Sequence, residues 1–204
     1  GAPTVRRTTL SSTVVRRTVG APSLMRDVRR HYNIMLANRI RASARITGEF
    51  TLRSGKTSNV YFDKYQFEAD PALLLDIARA MVPLVPAGTQ VLAGLEMGGI
   101  PIVTMLSQVT GIPCSFIRKE AKAYGTCRYA EGASLPGRSF VLVEDVVSSG
   151  GAIIDALHKL RADGLNPSAA ICVIDRETGG KEALAGHSLE LKSLFTYSQV
   201  DRAA

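Results

Sequence analysis

Apolar positions along this chain switch repeatedly between two periods. Compact apolar blocks at about 90–94, 113–117, 139–144 and 168–174 have the length and content of buried strands. Most are followed by turn-forming residues and then by apolar residues at helical spacing, which predicts helices over 99–110 and 151–163, the latter closed by Gly164. A helix over about 71–84 is signalled by Asp70 as cap with Pro71 in its first turn. Upstream, Met25, Val28, Ile34, Met35, Ala37 and Ile40 predict a helix over about 25–45 with those residues as its apolar face. Alternation over 49–65 predicts a hairpin turning at Arg53-Ser54-Gly55-Lys56. The polar span 118–136 reads as a loop, and a last strand falls near 189–195. Strands alternating with helices predict an α/β fold, a central mainly parallel sheet flanked by helices. Ligands of such sheets bind beyond the strand C-termini, where Arg118, Glu144 and Arg176 would converge.

The block at 140–152 carries the densest chemistry. Phe140 to Val143 runs into two adjacent carboxylates, Glu144 and Asp145, then Val146, Val147, Ser148, Ser149, Gly150, Gly151 and Ala152. A helix follows with apolar Ile153, Ile154, Leu157 and Leu160. Glycines allow the backbone to approach a phosphate, first-turn N–H groups point at it, and two serine hydroxyls add donors. Carboxylates so close would repel a phosphate, so they suit sugar hydroxyls a few ångströms away. The pattern asks for a phosphorylated ribose. It is neither a Walker loop nor a G-x-G-x-x-G turn. The same residues also fit an ordinary capped turn with two solvated acids.

Charge changes the picture only at one end. The net +7 resides in residues 1–45, which hold ten arginines and one acid, whereas the remainder carries 15 basic and 17 acidic residues. The segment 1–25 therefore reads as a basic N-terminal extension, of which residues 1–22, rich in Thr, Ser, Arg and Val without an acid, resemble an organellar transit peptide or leader. With Tyr32 the only aromatic of residues 1–45, this arginine-rich end does not make a nucleic-acid-binding face. No apolar run approaches a membrane span. Cys114, Cys127 and Cys172 lack metal-ligand spacing and suit a reducing, cytoplasmic setting. His31, His158 and His187 are isolated in sequence and read as structural or solvated.

The 140–152 block resembles the PRPP-binding signature of type I phosphoribosyltransferases. Three further segments narrow the resemblance to orotate phosphoribosyltransferases: Phe50-Thr-Leu-Arg-Ser-Gly-Lys-Thr-Ser-Asn-Val-Tyr-Phe-Asp-Lys64, Gly94-Leu-Glu-Met-Gly-Gly-Ile-Pro101 and Ile117-Arg-Lys-Glu-Ala-Lys-Ala-Tyr-Gly-Thr126, with Asp175-Arg176 beyond them. The resemblance spans about residues 46–197. It implies a single domain over 26–204, with a small hood from about 26–68 plus the C-terminal strand, and a core over about 70–185.

The resemblance implies transfer of the 5-phosphoribosyl group from PRPP to orotate, giving orotidine 5′-monophosphate and pyrophosphate in pyrimidine biosynthesis. Its transition state is expected to be oxocarbenium-like, so cations at the leaving group and exclusion of water matter most. Arg118, Lys119, Lys122 and Tyr124 would lie in a mobile catalytic loop over PRPP. Glu144 and Asp145 would take the ribose hydroxyls, and Val146 to Ala152 the phosphate. Lys122, Arg118 and Asp145 are the expected catalytic residues. Glu96, Met97 and Gly98 would form the pyrophosphate loop. Arg53, Tyr61, Phe62, Ser148 and Arg176 would hold orotate, Arg176 as a fork for its carboxylate. Mg²⁺ is implied through phosphate oxygens and waters, without a protein-only metal site. A homodimer with shared sites follows from the family's loop, which closes over the neighbouring subunit.

Several positions depart from the commonest pattern. Arg53 stands where many relatives have Lys, Tyr124 where some have His, and Met97-Gly98 where others place Tyr-Lys or Tyr-Thr, so pyrophosphate contacts there are expected from backbone alone. Ser148-Ser149 replaces Thr-Thr or Thr-Ala. Two other functions fit the signature loop: transfer to another base, which should lack the 117–126 loop and Arg176, and a non-catalytic PRPP-sensing regulator, against which Lys122, Glu144, Asp145 and Arg176 argue. The 204 residues leave no room for an appended (β/α)₈ decarboxylase barrel of about 250 residues.

Overall fold

A computed structural model of the chain describes residues 21–51, 55, 57–121 and 129–203. Helix α1 (Ala21–Ala44) leads into an antiparallel hairpin of β1 (Arg45–Thr51) and β2 (Thr57–Phe62), then α2 (Lys64–Ala69) and α3 (Pro71–Met81). After a 3₁₀ turn at Val82–Leu84 come β3 (Val91–Leu95), α4 (Gly99–Thr110), β4 (Cys114–Ile117), β5 (Ala130–Gly132) and β6 (Phe140–Val147). The chain continues with α5 (Gly151–Ala162), β7 (Ala170–Asp175), α6 (Gly180–Gly186), β8 (Leu191–Thr196) and α7 (Tyr197–Arg202).

The central sheet has the order β5-β4-β3-β6-β7-β8, parallel except for β5. Alternation along its strands feeds two cores. Val141 and Val143 of β6 join Ile40, Phe67, Ile77 and Ile102 on the face covered by α1 to α4 and α7. Phe140 and Leu142 join Ile153, Leu157 and Leu184 on the face covered by α5 and α6. From β3 the order runs outward to β4 on one side and through β6, β7 and β8 on the other. The loops after β3 and β6 therefore part toward opposite faces and open a crevice between them, the switch point of the sheet.

Four expectations are corrected. The buried face of α1 is Leu36, Ala37, Ile40 and Ala44, while Val28, Ile34 and Met35 are exposed, because α1 meets α2, α3 and α7 along a narrower stripe than its apolar content suggests. Strand β6 does not stop at the acidic pair: pairing with β7 continues through Val146↔Ile174 and Val147↔Asp175, so both carboxylates lie within the strand. Strand β8 lies in the core sheet beside β7, leaving β1 and β2 as the sheet of the hood. The short helices α2, α6 and α7 had no reading of their own, and β5 interrupts the expected loop by pairing with β4. Asp70 caps α3 as expected, accepting from the Ala72 and Leu73 N–H groups at 2.9 and 3.0 Å with Pro71 in the first turn.

Candidate active site

At the switch point the chain must leave β6 and start α5 within three residues. Gly150 makes this possible with a φ of +79°, a left-handed conformation that side chains disfavour. Gly151 has an open front: the nearest atom to a Cβ there would be Ser149 Oγ at 3.7 Å. The first turn of α5 thus presents its unpaired N–H groups to free space, beside exposed Ser148 and Ser149. A cavity of about 200 Å³ is lined by Glu144 and by Val146 to Ile153. A larger cleft of about 510 Å³ shares Ser149, Gly151 and Ala152 with it, and adds Glu96, Arg118, Lys119, Glu120 and Lys159.

The acidic pair is not solvated. Asp145 is 0% exposed and Glu144 8%. Glu144 Oε1 accepts from the Asp145 N–H at 3.1 Å, and Asp145 Oδ1 from the Val146 N–H. Burial, reinforced by the Asp145 charge, pushes the Glu144 carboxyl well above the usual carboxylate range. Burial opposes ionisation of Asp145 too, but hydrogen bonds with Glu68, Glu144 and Lys64 outweigh it and hold its carboxyl below the ordinary value.

Lys64 and Glu68 are site residues that the sequence reading passed over. Asp63 caps α2 through the Tyr65 N–H at 3.1 Å, and residues four apart then share a helix face. That face meets β6. Lys64 Nζ lies 2.5 Å from Asp145 Oδ2. Glu68 is buried, and burial first, then its hydrogen bond to Asp145, pushes its carboxyl up to about 9. Glu68 is thereby biased toward its neutral form, and Asp145 toward its charged one. An Asp cap followed by charges at i and i+4 was the available signal.

Gly98, in the loop after β3, completes this cluster. A Cβ there would collide with the Asp145 carboxylate and come 2.7 Å from Lys64 Nζ. Glu96 turns the other way and accepts from the Lys119 N–H at 2.6 Å, while Met97 is 63% exposed. Arg118 donates through Nε to the Glu120 carbonyl at 3.2 Å, and Lys159 bonds the Lys119 carbonyl while resting over the Tyr129 ring. The start of the 118–121 segment is thus tied to both walls of the larger cleft. Lys122 and Tyr124 lie outside the described residues, as does Arg53.

Arg176 follows β7, its N–H bonded to the Val147 carbonyl at 2.8 Å. Its guanidinium sits 4.7 Å from the Tyr197 ring centroid, and Tyr197 meets Phe62 edge-on at 5.7 Å. A capping box of Thr196 and Gln199 fixes Tyr197 at the start of α7. Phe62 therefore faces the body beside Arg176, whereas Tyr61 is 44% exposed and packs on Phe50 at 5.4 Å. Successive side chains of a strand point to opposite faces, so these two do not share a pocket wall. Among the described residues no group of three or more His, Cys, Asp and Glu is arranged to hold a metal ion, and no helix is long and apolar enough to cross a membrane. His158 and His187, read as isolated, face each other with ring nitrogens 3.4 Å apart, away from this crevice.

Comparison with known proteins agrees with this architecture. A family model for the phosphoribosyl transferase domain matches residues 65–188. An orotate phosphoribosyltransferase of Nocardioides sp. is 51% identical over 168 residues, covering 82% of this chain and 94% of that protein. The Mycobacterium tuberculosis orotate phosphoribosyltransferase, solved with Fe(III) dicitrate, superposes with a TM-score of 0.76 at 28% identity, covering 83% and 98% of the two chains. A structure of the M. tuberculosis protein in complex with PRPP gives a TM-score of 0.72 at 24% identity over 83% and 99%. With a buried acidic pair inside β6, an open helix N-terminus and these relatives along most of its length, the chain belongs to the orotate phosphoribosyltransferase family.

Proposed function

We propose that the chain transfers the 5-phosphoribosyl group of PRPP to orotate, releasing pyrophosphate and orotidine 5′-monophosphate. The observation that carries this reading is the juxtaposition on β6 and α5 of a buried, ionised Asp145 with an unobstructed helix N-terminus. The carboxylate accepts from ribose hydroxyls, and the N–H groups with Ser148 and Ser149 hold the 5′-phosphate. Arg118 and Lys119, with Lys122 beyond them, supply positive charge where the diphosphate departs. Arg176, held over the Tyr197 ring, offers a planar fork to the orotate carboxylate.

Mg²⁺ is part of this proposal as a counter-charge to the diphosphate. Asp145 is already matched by Lys64, and Glu144 is buried and biased toward its neutral form, so neither is a spare ligand. The ion would be held by phosphate oxygens and water. The described cysteines, Cys114 and Cys172, are unpaired, which suits the cytoplasm.

The test is loss of orotate absorbance on mixing protein, PRPP and Mg²⁺, with adenine, hypoxanthine and uracil as controls. Orotate should be consumed alone, and chelation by EDTA should stop turnover. Preference for another base would overturn the assignment. For the proposed shared-site dimer, an inactive Lys122→Ala protein mixed with an inactive Asp145→Asn protein should recover about a quarter of wild-type activity after free subunit exchange. No recovery, with exchange shown independently, would place the loop over its own chain's site.

A further inference from the structure

The loop after β3 brings no positive side chain to the crevice: Glu96 is bound to the Lys119 N–H, Met97 points outward and Gly98 has no side chain. The space a side chain at position 98 would occupy is filled from elsewhere, by the Asp145 carboxylate and the Lys64 ammonium. Lys64 reaches that point from the first turn of α2, with its side chain one-third exposed and its Nζ 2.5 Å from Asp145 Oδ2. The other Asp145 oxygen is engaged by the Val146 N–H. A ribose hydroxyl that approaches this carboxylate at Oδ2 competes there with Lys64.

Resting on the functional reading above, we infer that Lys64 is an exchangeable cation of the PRPP site. It pairs with Asp145 while the site is empty and passes to the diphosphate oxygens when ribose hydroxyls engage Asp145. The exchange avoids a costly intermediate at each end. Removing one partner of a buried ion pair leaves an uncompensated charge, which is strongly unfavourable. Here the carboxylate gains hydroxyl donors as it loses the ammonium, and the ammonium gains a polyanion. Lysine suits this role because its charge is compact and its four-carbon stem is flexible. Gly98 suits it because the absent side chain leaves the ammonium a path along the loop.

The groups facing Asp145 define a second signature. Lys64 and Glu68 face it from α2, and Glu144 adjoins it on its own strand. Among the described residues Lys64 is the single cation in this group, so without it Asp145 is left among acids and takes up a proton more readily.

The experiment is calorimetric binding of PRPP, and separately of inorganic pyrophosphate, to wild type, Lys64→Met and Lys64→Arg in the presence of Mg²⁺, with folding checked by circular dichroism. Lys64→Met should weaken both ligands by roughly 10- to 100-fold, the range of one charge-assisted hydrogen bond. Lys64→Arg should stay within a few-fold of wild type, and KM for orotate at saturating PRPP should change little. The PRPP affinity of Lys64→Met relative to wild type should partly recover as pH rises from about 6 to 9, because Asp145 regains its charge. Unchanged pyrophosphate binding in Lys64→Met would overturn the inference, even if PRPP binding fell, since Lys64 would then act on Asp145 alone. Lys64→Gln replaces the methionine variant if the latter does not fold. Failure of wild type itself to bind PRPP would instead strike the functional reading.

Discussion

The end of β6 and its turn into α5 carry their chemistry in consecutive residues, from Glu144 through Gly151, whereas the loop after β3 carries almost none of its own. In the first, an ionised carboxylate, two hydroxyls and a helix N-terminus arise from one stretch of chain. In the second, the decisive feature is a gap at Gly98 that side chains from α2 and β6 fill. Both loops contain glycine for want of space, but the space is kept for different occupants. At Gly151 it lies open beside the cavity, and at Gly98 it is taken by the protein itself. A site wall can thus be specified by a residue that contributes no atoms to it.

Removing the group that joins the two loops should have the largest effect. Asp145→Asn keeps shape but gives up the charge that Lys64 and the ribose hydroxyls share. PRPP affinity should fall by roughly 10- to 100-fold, equivalent to about 1.5–3 kcal/mol for a hydrogen bond to a charged group. Calorimetry with PRPP and Mg²⁺ measures it, and unaltered affinity would reduce the acidic pair to a structural feature of β6.

The two glycines can then be set against each other. Gly98→Ala forces a Cβ into the Asp145 carboxylate, an overpacking cost of about 1–3 kcal/mol. Its urea midpoint should drop with no ligand present. Gly151→Ala meets nothing nearer than 3.7 Å, so its midpoint should hold or rise slightly while PRPP binding weakens. If both variants lost only stability, or only binding, the distinction between the two loops would collapse.

This contrast also explains what the sequence made legible. The alternation of strands and helices, the Asp70 cap and the α5 turn depend on neighbours within a few residues, and each can be read from local pattern. Strand β6 outran its predicted end because β7 continued to offer partners, a fact stored about 28 residues away. The exposed Val28 and Met35 misled for the same reason: apolar periodicity marks a helix but not which stripe meets a neighbour. Lys64 and Glu68 acquire their role only when α2 folds onto β6, 77 or more residues along the chain. A six-residue helix whose one buried apolar residue is Phe67 gives little periodic signal of its own.

A final prediction concerns the proton on Glu68, read in the pH dependence of stability with no ligand present, and it tests whether the α2 side of the site is built as described. The folded protein keeps that carboxyl protonated up to about 9, whereas an unfolded glutamate releases its proton near about 4.3. Between these values the folded state binds more protons than the unfolded one, so this group's contribution to stability declines as pH rises and levels off above about 9. Asp145 acts in the opposite sense and lower down. Its depressed value contributes stability above the ordinary aspartate range that is lost as pH falls through its folded value, so it does not confound the window. Glu68→Gln retains a neutral donor toward Asp145 and cannot titrate. Urea unfolding at intervals from about pH 5 to 9 should therefore show the variant gaining on wild type steadily with pH. A difference that stays constant across that range would mean Glu68 ionises normally in the folded protein, and Asp145 would then owe its charge to Lys64 without a neutral acid beside it.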